Sequence, residues 1–204
     1  TDLVTMYLST QGAHSGKAGL SIQAAMAIPQ NCSEIIEVGP YVSAYSQSRI
    51  GEEEVQMAML GVTNSFFSLN KIKVLEGRAI SDLDSMMFYC VIGLGLRDKL
   101  RGAGVLEPLG HKIKIKDRLF TVVGVIDRLA PNMMRPMELN DGMLIPITTA
   151  LRINEDGRIT NLTARLANSD RWKEADAQVQ AYFRVKAKGI SGRMSSAEEL
   201  LAQI

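Results

Sequence analysis

The sequence predicts an α+β chain of two lobes, and three observations carry that prediction. Strand–helix–strand patterns stand at both ends, over 3–48 and 160–194. The stretch between them is mainly β, with two short helices. Two βαβ units from opposite ends of a chain can share one sheet. Residues 1–48 and 150–204 are therefore expected to build one lobe, with 49–149 inserted as a second, β-rich lobe.

Each element has a local reason. Leu3 to Ser9 alternates as a strand does, and a loop of small residues follows, Gly12 to Gly16 with His14 in it. Ala18, Ile22 and Ala25 fall on one helical face, so about 18–28 reads as a helix that ends before Pro29. Ile35 to Ser48 is long and β-like with a bend expected at Pro40, and Glu53 to Val62 is a second β segment. Gly51 in the turn between them suggests a hairpin. Thr63-Asn64 can cap a short helix carrying Phe66, Phe67 and Leu69. Ile72 to Leu75 leads into the Glu76-Gly77-Arg78 turn, and Ser81 to Asp84 is a polar turn. Met87 to Ile92 reads as a buried strand and Leu94 to Arg101 as one or two helical turns. Ile113 to Lys116 and Leu119 to Val125 form a hairpin around Lys116-Asp-Arg118. Residues 130–142 read as one long irregular loop, in which Met133, Met134 and Met137 offer an adaptable contact surface or simply fold over the lobe. Met143 to Ile147 and Thr160 to Leu166 return as strands. Ser169 or Asp170 is expected to cap the best helix, about 171–187, whose apolar face is Trp172, Ala175, Val179, Tyr182 and Phe183. Ile190 to Met194 is a last short strand.

Composition narrows the function classes. Only 5% of residues are aromatic, so an aliphatic core with 11 Met as gap-fillers is expected. A net charge of +1 provides no general field for nucleic acid or anionic lipid. The longest nonpolar run, Met86 to Leu96, is far short of the roughly 20 residues that cross a bilayer. Cys32 and Cys90 have no metal or redox spacing. Cys90 reads as a small buried hydrophobe, and a Cys32–Cys90 disulfide is the alternative in an oxidising compartment. A strand-like opening from Leu3 and a capping-box pattern at Ser196-Ala-Glu-Glu199 close to the other end suggest a piece bounded by membrane spans.

The most informative stretch runs from Leu75 to Ile126. Leu75, Glu76, Gly77 and Arg78 are followed by Asp84, then by Val91, Ile92 and Gly93. Next come Pro108, Leu109 and Gly110, then Ile113, Ile115 and Phe120-Thr-Val-Val-Gly124-Val125. Gly61-Val-Thr-Asn-Ser-Phe-Phe67 precedes them, and Leu144-Ile-Pro146 with Thr148-Thr149 follows. In this order the parts resemble the periplasmic core domain of MacB-like ABC transporter permeases, within the wider group with FtsX-like membrane halves. The resemblance spans nearly the whole chain and is strongest from Val62 to Thr149. It departs at Arg101-Gly-Ala-Gly-Val105, where many members carry an aromatic-glycine pair.

The resemblance implies a porter-like lobe made of both chain ends and an inserted sabre-like lobe. It implies an extracytoplasmic domain at the periplasmic face of a bacterial inner membrane, within a membrane-embedded parent, with no active site of its own. ATP would be used by a separate ATPase domain or subunit. The expected partners are a second permease copy, that ATPase, and a periplasmic adaptor or substrate protein. The matched residues read as structural: Gly77, Gly93, Gly110 and Gly124 at turns, strand ends or close backbone approaches, and Arg78 pairing with Asp82 or Asp84. An extracellular peptide-sensing module is the alternative.

A search for chemistry adds one rival. Val91-Ile-Gly93-Leu-Gly95 follows a strand and precedes a helix, as a dinucleotide-binding turn would. The third glycine of that pattern falls on Asp98, whose charge would repel a pyrophosphate. No Gly-x-x-x-x-Gly-Lys-Ser/Thr loop and no Gly-x-Ser-x-Gly motif occurs. His14 and His111 stand far apart without ligand-spaced neighbours. Glu52-Glu-Glu54 reads as a solvated turn, and Asn161-Leu-Thr163, a formal glycosylation acceptor, lies within a predicted strand.

Overall fold

The computed structural model describes residues 2–10, 19–129, 136–154 and 157–196. The first strand, β1 (Leu3–Thr10), buries Val4 and Met6 on one face. The single helix expected over 18–28 is instead two short ones, α1 (Ile22–Met26) and α2 (Ile28–Asn31). Ser21 caps α1 by accepting the Ala24 N–H at 3.0 Å. Pro29 does not stop the helical path but sits in the first turn of α2, where its missing N–H costs nothing.

β2 (Ile35–Ile50) runs through Pro40 without a break, and its register irregularity lies earlier, between Ile35 and Glu37. Gly51, at φ +63°, turns it into β3 (Glu53–Val62). α3 (Ser65–Leu69) follows, burying Phe66, Phe67 and Leu69. β4 (Val74–Gly77) leads to a 3-10 turn, Asp82–Asp84. β5 (Tyr89–Ile92) is shorter than the nonpolar run that predicts it, because Met86 and Met87 are each 42% exposed. α4 (Leu94–Gly102) is followed by the hairpin β6 (Lys112–Ile115) and β7 (Arg118–Ile126).

Part of the expected irregular loop is helical, α5 (Pro136–Asn140); Met133 and Met134 lie outside the described residues. β8 (Met143–Pro146) passes directly into α6 (Ile147–Ile153), a helix the β-branched sequence Ile-Thr-Thr conceals. β9 (Asn161–Leu166) precedes a 3-10 turn, Ser169–Arg171, capped by Asn168 rather than Ser169 or Asp170. α7 (Trp172–Lys186) buries Ala175, Val179 and Phe183, and β10 (Ile190–Ser196) is the last described element.

The chain divides into two compact units, Thr1–Tyr41 with Arg158–Ile204, and Val42–Gly157. These boundaries differ from the expected 48/49 and 149/150. From Val42 onward β2 belongs with its hairpin partner β3, and α6 packs on β3 where Gly61 lies against Ala150 and Ile147.

In the first unit the strand order is β10-β1-β9-β2, and each neighbouring pair is antiparallel. β1 and β2, both antiparallel to β9, are therefore parallel to each other and joined by α1 and α2. By the same reasoning β9 and β10 are parallel and joined by α7. Each βαβ unit thus holds a strand of the other between its own two, an interleaved split βαβ pair. The two chain ends meet directly, with Val4 opposite Ser196 and Thr10 opposite Ile190. Met6, Val38, Leu162, Ala164 and Met194 face Ile28 of α2 and Val179 of α7 around a small apolar void. The Tyr182 hydroxyl donates to the Ala24 carbonyl at 2.6 Å, tying α7 to α1.

In the second unit the order is β2-β3-β8-β5-β7-β4, with β6 also on β7. β3–β8 and β5–β7 are parallel, while β5–β8, β4–β7 and β6–β7 are antiparallel. Ile113, Ile115, Phe120, Val122 and Cys90 line one buried side. The Phe88 ring meets Phe120 edge-on at 5.4 Å.

Candidate functional site

Most residues of the sequence pattern converge on β7. Gly77, at φ +69°, ends β4 opposite Gly124, and a side chain there would run into the Val123 carbonyl and Leu109. Gly124 is as tightly placed, since a Cβ would strike the Arg78 backbone. The Arg78 N–H donates to Val123 O at 3.0 Å. Gly110, at φ +83°, donates to Val122 O at 2.8 Å, and the buried Pro108 accepts from His111 N at 3.0 Å. Gly77, Arg78, Pro108, Leu109, Gly110 and Gly124 are thus one packed crossing.

Arg78 extends from this crossing to Asp84. Its two terminal nitrogens donate to the two carboxylate oxygens at 2.8 and 3.1 Å. Asp84 also accepts the Ser81 N–H at 2.8 Å, while Ser81 caps the 3-10 turn from the other side. Of the two partners the sequence allows for Arg78, Asp84 is therefore the one used. Asp82 instead accepts the Asn64 N–H at 3.0 Å. Burial pushes the Asp84 carboxyl up, but the hydrogen bonds from Arg78 and Ser81 outweigh it and hold the group below the usual range. The Arg78 guanidinium also lies 5.6 Å from the centre of the Tyr89 ring. The spacing Ser81-x-x-Asp84 is itself a capping-box pattern and marks this turn in the sequence.

Gly93 and Pro146 stand elsewhere. Pro146 ends β8 opposite Val62 and begins α6. Gly93 precedes α4 and donates to Gly142 O at 3.0 Å. A dinucleotide would need the first turn of α4 open. It is closed: Gly95 N–H donates to Asn140 Oδ1 at 3.2 Å, and a Cβ on Gly95 would strike Asp141. Asp141 lies 3.8 Å from Lys99. The chain's own Asn140-Asp141 pair fills the place a pyrophosphate would take, so the nucleotide reading fails on geometry as well as on Asp98. Sequence reasoning missed this cap because its two halves are 45 positions apart.

Among the described residues no group of three or more His, Cys, Asp or Glu is arranged to hold a metal. Cys32 and Cys90 are free, buried thiols, each in its own unit. Burial raises the pKa of both, most strongly for Cys90. Asn161 is buried within β9, away from any glycosylating enzyme. His14 lies outside the described residues.

Comparison with known proteins gives this arrangement a family. The model of the MacB-like periplasmic core domain matches residues 1–182. The chain belongs to that family. The MacB-like chain is 30% identical over 129 residues to the macrolide export ATP-binding/permease protein MacB of Syntrophobacter fumaroxidans. That match covers 62% of this chain and 18% of the relative, so this chain corresponds to a small part of it. The fold is shared with the periplasmic region of MacB from Actinobacillus actinomycetemcomitans, at TM-score 0.71 and 17% identity over 100% of this chain and 92% of that one. It is shared also with the extracellular domain of the noncanonic ABC-type transporter YknZ from Gram-positive bacteria, at TM-score 0.68 and 16% identity over 93% of this chain and 99% of that one. This MacB-like domain is accordingly α+β and extracytoplasmic, part of an ABC transporter permease. No helix among its described residues is long and apolar enough to cross a membrane.

Proposed function

We propose that this MacB-like domain is non-catalytic and passes conformational change between a membrane-embedded permease and whatever it meets outside the membrane, during export or extraction of cargo. The match of residues 1–182 to the periplasmic core domain family carries this reading. The use of the motif residues supports it. Gly77, Arg78, Asp84, Gly110 and Gly124 serve turns, close approaches and one ion pair, which are the needs of a shaped, stiff body. In this reading the first unit is the porter-like lobe and the second the sabre-like insertion. ATP is used by a separate ATPase domain or subunit, and this chain needs no cofactor. The permease works with a second copy, and a periplasmic adaptor or a substrate protein contacts the domain. The cargo class spans peptide, lipid, lipoprotein and drug.

The test is made in the complete transporter. Replacing this domain by a flexible Gly-Ser linker should leave basal ATP hydrolysis measurable and abolish cargo movement. Transport that survives the replacement, or ATP hydrolysis by the isolated domain, sinks the proposal.

A further inference from the structure

We propose that the outward face of the β6–β7–β5 sheet, together with the Leu83 turn, is the docking surface for an acidic amphipathic segment of a partner polypeptide. This deepens the reading above, in which the domain contacts another polypeptide, and rests on it.

The face is defined by register. Lys112, Thr121 and Tyr89 lie side by side across β6, β7 and β5. The next row holds Lys114 and Leu119, and continues toward Met87, two residues before Tyr89. The alternate residues Ile113, Phe120, Val122 and Cys90 point inward and are buried. Lys112, Lys114 and Lys116 are all exposed, and Leu119 is 53% exposed. Leu83 is 93% exposed and adjoins Asp84, whose partner Arg78 lies 5.6 Å from the centre of the Tyr89 ring.

Two features point to a polypeptide with negative charge. First, none of the three lysines has a carboxylate partner among the described residues. Acidic residues outnumber basic ones over the chain outside 112–118, so this cationic edge runs against the general balance. Lysines two apart on a strand stand roughly 7 Å from each other, a spacing that carboxylates one helical turn apart can meet. Second, the apolar part is preorganised. The bidentate Arg78–Asp84 pair and the Ser81 cap hold the 3-10 turn that displays Leu83. Met86 is held at φ +67° while its N–H donates to Thr148 Oγ1 at 2.8 Å. A fixed, protruding apolar side chain beside a half-buried Tyr and an Arg fits a pocket in a protein, where ordering costs are already met. A fluid lipid surface requires no such fixed turn. Lysines on an open strand also discourage edge-to-edge pairing, so the test must separate recognition from that protection.

Isotope-labelled chain is titrated with a synthetic helical peptide carrying glutamates at i and i+4 beside a leucine stripe, and followed by NMR. Saturable shifts are expected at Lys112, Lys114, Leu119, Tyr89 and Leu83. Leu83→Ala, harmless to folding at an exposed position, should weaken binding about tenfold, and the glutamine analogue of the peptide at least as much. The double variant Lys112→Glu, Lys114→Glu should lose the glutamate peptide and gain the lysine version of it. Shifts elsewhere, insensitivity to the charge reversal, or binding to phosphatidylglycerol vesicles without peptide binding overturns the proposal. Because the titration reads only this face, its failure is separate from a failure of the transport assay.

Discussion

Arg78 grips Asp84 through two parallel hydrogen bonds, and this pair fixes the turn on which the exposed Leu83 stands. Asp84 is buried, whereas the Arg78 side chain is 46% exposed, so solvent screening limits the strength of the pair. Arg78→Ala is expected to cost about 1–2 kcal/mol, mostly because a buried carboxylate is left with fewer donors. Since the folded pKa of Asp84 is depressed, its contribution is complete above the unfolded value of about 3.9 and is lost as pH falls through the lower folded value. Urea unfolding of the wild type should therefore weaken on acidification below about pH 4, with a shallower loss in Arg78→Ala. In that variant the Asp84 carboxyl should titrate at a higher pH by NMR, because burial then acts against a single N–H donor.

Three glycines separate backbone strain from crowding. Gly102 ends α4 with open space around its Cβ direction and no positive φ, so Gly102→Ala should stabilise by about 0.5 kcal/mol. Gly110 also has open space but stands at φ +83°, so Gly110→Ala should cost about 1–2 kcal/mol from conformation alone. Gly77 combines φ +69° with the Val123 carbonyl in the way, and Gly77→Ala should cost about 3 kcal/mol. Denaturant midpoints at constant m-value give the order directly.

What could be read in the sequence was local. Lys-Ile-Lys-Ile alternation marked β6, and the spacing of Ala175, Val179 and Phe183 marked α7, because each pattern reports which side is buried. The pairing of the two chain ends was also expected, since each carries a complete βαβ pattern. The interleaving of β9 between β1 and β2 was not, because nothing local distinguishes one neighbour from another in a sheet of like strands. α6 was hidden by its β-branched opening, and the close seat of Ala150 on Gly61 is a tertiary contact that no local pattern announces. Met87 looked like strand core because composition cannot tell an exposed apolar residue from a buried one. Of the candidate site, the Gly77-Arg78 turn was visible, while the register that lines up Lys112, Thr121 and Tyr89 needed the fold.

Asn140 closes the first turn of α4 from another element, taking the role a residue at the helix start would ordinarily fill. Asn140→Ala should cost about 1 kcal/mol in urea unfolding. With Asp141 and Asp98 still near that turn, removing the cap should not create an anion site. Thermal midpoints of the wild type and of Asn140→Ala are expected to stay unchanged on adding ATP or NAD, and a saturable rise would restore the nucleotide reading.

Cys32 and Cys90 provide a probe of how the two units open. Both thiols are buried and both have raised pKa values, so the reactive thiolate is scarce at neutral pH even before access is considered. Ellman's reagent should find neither in the native chain within minutes and both in denaturant. The two should differ in between. Cys32 closes α2, a helix of four residues, and fraying of so short an element requires few contacts to break. Cys90 lies in β5, between β7 and β8, with burial on every side, so only loss of that sheet exposes it. Labelling at rising urea followed by peptide mass analysis should therefore modify Cys32 at lower denaturant than Cys90. Simultaneous labelling would mean that the α2 end opens only with global unfolding.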